Sequence, residues 1–208
     1  MTEFMRNSDA FTWAMESDPR LRSTVVSVVL LDRSPDWDEV RERFDLISRK
    51  LPMFRQRVVE SPQPAPPRWE YVRDFDLDYH VRRAAAPGAG TLDDVLEMAR
   101  LAEMQDFDRA RALWETTLID GLENGGAAML CKFHHALTDG IGGVQIAMSL
   151  FNLSEDLHEH ESLPPTPEVT KRSPLSGYRD TLRYDTGLLG SALTGAVKWA
   201  PRLVDWDS

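Results

Sequence analysis

The sequence predicts an α/β (α+β) fold, and three observations predict it. Thr24 to Leu31 is an unbroken run of β-branched and aliphatic residues, the pattern of a strand buried on both faces. Trp37, Val40, Phe44, Ile47 and Leu51 recur at spacings of three and four, which is one stripe of an amphipathic helix. Trp114 to Asp120 and Ala127 to Phe133 are strand-like runs on either side of Gly121-Leu122-Glu123-Asn124-Gly125-Gly126, a segment suited to a hairpin turn.

Taken in order, Asn7-Ser8-Asp9 can cap a short helix from Ala10 to Glu16 with Phe11, Ala14 and Met15 on one face, and Asp18-Pro19 ends it. After the Thr24–Leu31 strand, Ser34-Pro35-Asp36 opens the striped helix, which runs to about Lys50 before Leu51-Pro52 closes it. The stripe is read as core packing. Met53 to Glu60 can continue as a strand, and the four prolines between Ser61 and Pro67 require a turn or exposed loop. Arg68 to Val72 and Asp76 to Arg83 read as strands, the second with alternating Leu77, Tyr79 and Val81. Pro87-Gly88-Ala89-Gly90 is a loop, and Thr91 with Asp94 resembles a capping box for a helix from Leu92 to about Met104. The hairpin follows, and Ile141 to Phe151 returns to a helical pattern.

Beyond Leu153 the composition shifts. Glu155 to Pro174 is rich in acids and prolines and reads as a linker crossing an outer surface. His158 and His160 lie in it, and a solvated linker accounts for them better than a metal site does. Helical spacing resumes between Ser176 and Trp206, with Leu182, Leu189, Leu193, Ala196, Val197 and Ala200. Gly187, Gly190 and Gly195 weaken that segment as an isolated helix, and Pro201 kinks or ends it. The expected organisation is therefore a domain over 1–154, a crossover linker over 155–175 and a helical segment over 176–208.

Bulk properties narrow the function classes. A chain of 208 residues with 42% hydrophobic and 28% charged residues can bury a full core and is not globally disordered. Its net charge of −10 argues against nucleic acid as the main partner. A single cysteine, Cys131, excludes an intramolecular disulfide and fits a reduced cytoplasmic setting. No apolar run reaches the roughly 18 residues of a membrane-spanning helix, and the first residues, with Glu3 and Asp9, are unlike a signal peptide.

Chemistry concentrates in Cys131-Lys132-Phe133-His134-His135-Ala136-Leu137-Thr138-Asp139-Gly140, followed by Ile141-Gly142-Gly143. It falls where a strand hands over to a helix, so its backbone is pinned on both sides. A histidine suits proton transfer near neutral pH because its ordinary pKa is about 6.5, provided a hydrogen bond fixes its tautomer. Asp139 is too near in sequence to be taken as a relay partner; the alternative is that it shuts the loop through an arginine elsewhere. Gly140 and the Gly142-Gly143 pair allow unusual backbone angles and close approach of a substrate. Three other readings compete. A zinc site lacks a second Cys/His cluster to complete a tetrahedral set. The glycine spacing matches neither a dinucleotide loop nor a P-loop. The third is that the histidines are structural.

His134-His135-Ala136-Leu137-Thr138-Asp139-Gly140 resembles the HHxxxDG signature of the CoA-dependent acyltransferase superfamily. That superfamily includes chloramphenicol acetyltransferase, peptide-synthetase condensation domains and bacterial wax ester synthase/diacylglycerol acyltransferases. Four further stretches resemble the last of these: Ser8-Asp9-Ala10-Phe11 with Glu16; Leu51-Pro52-Met53-Phe54-Arg55-Gln56-Arg57; Asp76-Leu77-Asp78-Tyr79-His80-Val81; and Ala112-Leu113-Trp114 through Leu122. Ala112 stands where the family's PLW segment has proline. The matches span about residues 8–150 in the family's order. Family members are roughly twice as long, with two similar domains whose interface forms a substrate tunnel.

The resemblance implies a mixed sheet flanked by helices, as in the N-terminal domain of a chloramphenicol-acetyltransferase-like two-domain enzyme. It implies transfer of a fatty acyl group from acyl-CoA to diacylglycerol or a long-chain alcohol, as in triacylglycerol or wax ester synthesis. Acyl-CoA would be substrate, with no resident cofactor or metal, and the C-terminal half of the enzyme would be a partner. His135 would be the general base, His134 would shape the site, Asp139 would orient the loop and Gly140 would permit it. In related condensation domains the motif's aspartate meets an arginine, which here implies Arg55, with Arg57 as the alternative at the same strand parity. No GxSxG elbow occurs, and Cys131 precedes the motif on a strand, so an acyl-enzyme is unsupported. The rival expectation is a non-catalytic half-protein serving as a lipid-binding or assembly module. Residues 176–206, with Trp199, Trp206, Arg179, Arg183, Lys198 and Arg202 around an apolar stripe, would either meet the cytoplasmic membrane or a lipid droplet peripherally or pack on a further domain.

Overall fold

A computed structural model describes residues 3–16, 18–137, 164–166 and 181. The expected helix over 141–151, most of the crossover linker and most of the segment over 176–206 lie outside those residues. Two sheets share the core. Strands β1 (Glu3–Phe4), β3 (Gln56–Val59) and β4 (Arg68–Tyr71) form an antiparallel sheet in the order β1-β4-β3. Strands β2 (Thr24–Leu31), β5 (Val81–Ala85), β6 (Trp114–Asp120) and β7 (Ala127–His134) form the larger sheet in the order β2-β7-β6-β5. It is mixed: β7 runs antiparallel to both neighbours, whereas β5 runs parallel to β6.

The helices among the described residues include α1 (Asn7–Met15), α2 (Trp37–Lys50), α3 (Leu77–His80) and α4 (Leu92–Met104). The α2 stripe folds as its spacing requires. Asp36 accepts the Asp38 and Glu39 amides at the N-terminus, and Val40, Phe44 and Ile47 are buried, with Trp37 and Leu51 half-buried beside them. Burying each of those three core side chains contributes about 1.5–3 kcal/mol. They meet Met129, Cys131 and Phe133 of β7 and Trp114 and Leu118 of β6. The opposite face of the same strands carries Ile119, Ala128 and Leu130 against Val95 and Ala99 of α4. Period-two alternation thus sends successive residues of β7 to α2 on one side and α4 on the other. The Thr91–Asp94 capping box is present, with both reciprocal bonds made.

Four expectations change. Among the described residues β2 is an edge strand and is not buried on both faces, since Val25 is 42% and Leu30 54% exposed. The chain from Pro52 to Arg55 is a 3-10 turn and the strand begins only at Gln56, because Pro52 presets the turn and Phe54 drops into the core at 1% exposure. Arg55 and Arg57 therefore do not share one strand face. Leu77–His80 is a helical turn, since the Asp76 carboxylate captures the Asp78 amide, and the strand begins only at Val81. α1 starts at Asn7 rather than Ala10, with Arg6 at the cap and no side-chain cap bond.

Candidate active site

β7 carries the paired histidines to the end of the larger sheet. Thr24 of β2 lies opposite His134, and the His134 amide donates to the Leu113 carbonyl at 3.0 Å. The His135 amide donates to the Ser23 carbonyl at 2.7 Å, and a 3-10 turn over His135–Leu137 follows. The two imidazoles then part company. His134 is 2% exposed, on the face of β7 that carries Leu130 and Lys132, whereas His135 is exposed.

Both nitrogens of His134 are engaged. The Ala136 amide donates to Nδ1 at 3.0 Å, so Nδ1 holds the lone pair. Nε2 then carries the hydrogen and donates to Glu16 Oε1 at 2.7 Å. Burial pushes the His134 pKa below its ordinary value even though the Glu16 hydrogen bond pulls the other way. The ring is therefore neutral at pH 7, with its tautomer fixed. Trp13 meets it edge-on, centroids 5.3 Å apart. Glu16 Oε1 also accepts the Ser23 amide at 2.7 Å, and Arg109 Nη2 stands 3.7 Å from Oε2. These groups border a cavity of about 340 Å³ whose walls include Arg22, Phe107 and Arg109.

Arg55 is held away from solvent by Asp45, whose Oδ1 accepts from Nη2 at 2.6 Å, and by Ser48, whose Oγ accepts from Nε at 3.0 Å. Its guanidinium lies over Phe75, 4.3 Å from the ring centroid. Asp45 is shared with Arg49, whose Nη1 reaches the Pro164 carbonyl at 3.1 Å. Asp139 and Gly140 lie outside the described residues, as therefore does the expected Arg55–Asp139 pair. Cys131 is buried against Thr116, and burial pushes its thiol up to about 11, which makes it a poor nucleophile. His80, the second buried histidine among the described residues, donates from Nδ1 to the Trp114 carbonyl at 2.6 Å and stacks on Phe75 and Trp114. Among the described residues no group of three His, Cys, Asp or Glu side chains is placed to hold a metal. No helix among them is long and apolar enough to cross a membrane.

Sequence reasoning missed two carboxylates. Glu16 lies 118 residues before His134, and its one signal was membership of the N-terminal stretch that carried the resemblance. Asp45 had a local signal, its i,i+4 spacing to Arg49, but nothing in the sequence linked it to Arg55.

The wax ester synthase/diacylglycerol acyltransferase catalytic domain matches this chain over residues 5–206. A Mycobacterium tuberculosis protein named as a diacylglycerol O-acyltransferase is 40% identical over 194 residues, covering 91% of this chain and 39% of the relative. A Mycobacterium bovis protein of the same naming is 36% identical over 166 residues, covering 78% of this chain and 37% of its own. Among solved structures, the wax ester synthase/diacylglycerol acyltransferase from Marinobacter aquaeolei VT8 matches with TM-score 0.58 and 27% identity, covering 78% of this chain and 41% of that one. The first condensation domain of the calcium-dependent antibiotic synthetase shares the fold, with TM-score 0.63 at 15% identity over 80% of this chain and 40% of that one. The chain spans about two fifths of the length of the curated relatives it matches.

Proposed function

The chain belongs to the wax ester synthase/diacylglycerol acyltransferase family, and from that premise we propose that it supplies the histidine-bearing domain of an acyl-CoA-dependent O-acyltransferase. The acceptor is diacylglycerol or a long-chain alcohol, acyl-CoA is a substrate, and no resident cofactor takes part. His135 is the general base. It takes the hydroxyl proton as the oxygen attacks the thioester carbonyl, and it returns that proton to the CoA thiolate as the tetrahedral intermediate collapses. The observation that carries this reading is the division between the two rings: His134 is buried with both nitrogens engaged, and His135 is exposed beside it. Asp139 and Gly140 fix the loop, and the segment over 176–206 makes peripheral contact with lipid.

The test is acyl transfer from radiolabelled palmitoyl-CoA to dioleoylglycerol or hexadecanol. His135→Ala in the complete enzyme lowers turnover by about two to four orders of magnitude with little change in acyl-CoA binding. Near-normal turnover in that variant would sink the assignment. The rival reading is a non-catalytic lipid-binding or assembly module. That reading predicts retained liposome binding with no turnover, whether or not a C-terminal half is supplied.

A further inference from the structure

We propose that Glu16 is the positioning residue of this site, its carboxylate setting His135 from two directions at once. The inference rests on His135 as the base and names the group that places it. The first route is the backbone. Glu16 Oε1 accepts the Ser23 amide at 2.7 Å, and the Ser23 carbonyl accepts the His135 amide at 2.7 Å. The second route is the neighbouring ring. The same Oε1 accepts from His134 Nε2 at 2.7 Å, which leaves Nδ1 as the acceptor for the Ala136 amide at 3.0 Å. His135 lies between the two amides so held, at the head of the turn over His135–Leu137. One buried oxygen, on a side chain 9% exposed, thus fixes the last residue of β7, the residue before β2 and the turn that presents the base.

The geometry separates Glu16's shape from its charge. Both donors meet Oε1, whereas Oε2 faces Arg109 at 3.7 Å, beyond hydrogen-bond distance. A glutamine with its carbonyl oxygen at the Oε1 position keeps both bonds and loses only the charge. An aspartate keeps the charge but withdraws the carboxylate by one carbon–carbon bond, roughly 1.5 Å, so it cannot reach Ser23 and His134 together. A positioning residue tolerates Glu16→Gln better than Glu16→Asp; a residue needed for its charge shows the reverse order.

Two readouts on the 208-residue chain decide this. The first is hydrogen exchange of the Ala136 amide by NMR, with the Val95 and Ala99 amides of α4 as internal controls. Glu16→Gln stays within about threefold of the parent, and Glu16→Asp exchanges at least about tenfold faster at Ala136 while the α4 amides hold. Native-like exchange in Glu16→Asp, equal loss in Glu16→Gln, or equal acceleration at the α4 amides each overturns the inference. The second readout is acyl transfer: Glu16→Asp lowers kcat at least about tenfold with KM for acyl-CoA unchanged, and Glu16→Gln does not. Exchange needs no turnover, so an inactive parent chain counts against the proposed activity while the first readout still decides the role of Glu16.

Discussion

His134 and His135 are adjacent, yet one ring is sealed in the protein and the other meets solvent. A strand end explains this, because successive side chains leave opposite faces and the turn begins between them. The buried histidines also give the fold a pH dependence. Burial holds His80 down at about 4, against its ordinary 6.5, and lowers His134 in the same direction. Above about pH 6.5 both rings are neutral whether the chain is folded or not, and their contribution is intact. As pH falls from 6.5 toward 4, the unfolded chain takes up the His80 proton and the native state does not. Stability therefore drops, by about 3 kcal/mol from His80 by pH 4. Urea unfolding between pH 7.5 and 4.5 measures it, with His80→Gln, whose amide can still donate to the Trp114 carbonyl, as the control that flattens the slope. An unchanged slope in that variant would refute the role of His80. Arg55 yields a second expectation. Its carboxylate partner among the described residues is Asp45, so Asp45→Ala leaves a buried guanidinium short of charge and destabilises by about 3–5 kcal/mol. The Asp45→Ala/Arg55→Met double variant recovers part of that loss in the same denaturant titration.

At the scale of elements, the caps of α2 and α4 and the α2 stripe are the dependable signals, whereas the expected cap of α1 makes no side-chain bond. Asp36 belongs to the Ser34-Pro35-Asp36 opening of the striped helix, and it receives two amides at the start of α2. Asp36→Ala should cost about 1 kcal/mol of stability by chemical unfolding, and Asp36→Asn much less. An Ala variant as stable as the parent would show the cap to be idle. α4 and β6 match their expected spans end to end, and each carries a local signal at one end: the Thr91–Asp94 capping box opens α4, and the Gly121 turn closes β6. The misses share a physical cause. Leu77, Tyr79 and Val81 alternate like a strand, but four positions also make one helical turn, and the Asp76 cap decides between them. The β2 run looked doubly buried since hydrophobicity records no sheet position, and topology placed it at an edge.

Across the whole molecule, the site depends on pairs of residues that no local pattern links. The HHxxxDG stretch was legible from seven residues, but the Glu16–His134 bond spans 118 positions and forms only once α1 packs against the turn that follows β7. The Leu113-Trp114 stretch is likewise understood only in three dimensions. Leu113 offers its carbonyl to the His134 amide, and Trp114, fully buried, lies opposite Phe133 in the β6–β7 register. Trp114 Nε1 donates at 2.8 Å to the Phe54 carbonyl, in the turn that leads into β3. Phe44 and Phe54 pack on its ring, and His80 stacks there too. Trp114 is therefore the joint between the two sheets, and it stands next to the strand end that delivers the histidines. Trp114→Phe keeps most of the packing but strands the Phe54 carbonyl, a loss of about 1–3 kcal/mol. Trp114→Ala opens a cavity at the joint and costs about 3–5 kcal/mol. Hydrogen exchange separates the joint from an ordinary core position. In the parent chain the slowest amides of β3–β4 and of β6–β7 open with one shared free energy. In Trp114→Ala the β3–β4 amides open first, well before those of β6–β7, since that sheet has lost its anchor while the β6–β7 ladder remains. Equal weakening of both sheets would mean that Trp114 fills space in a single core and joins nothing.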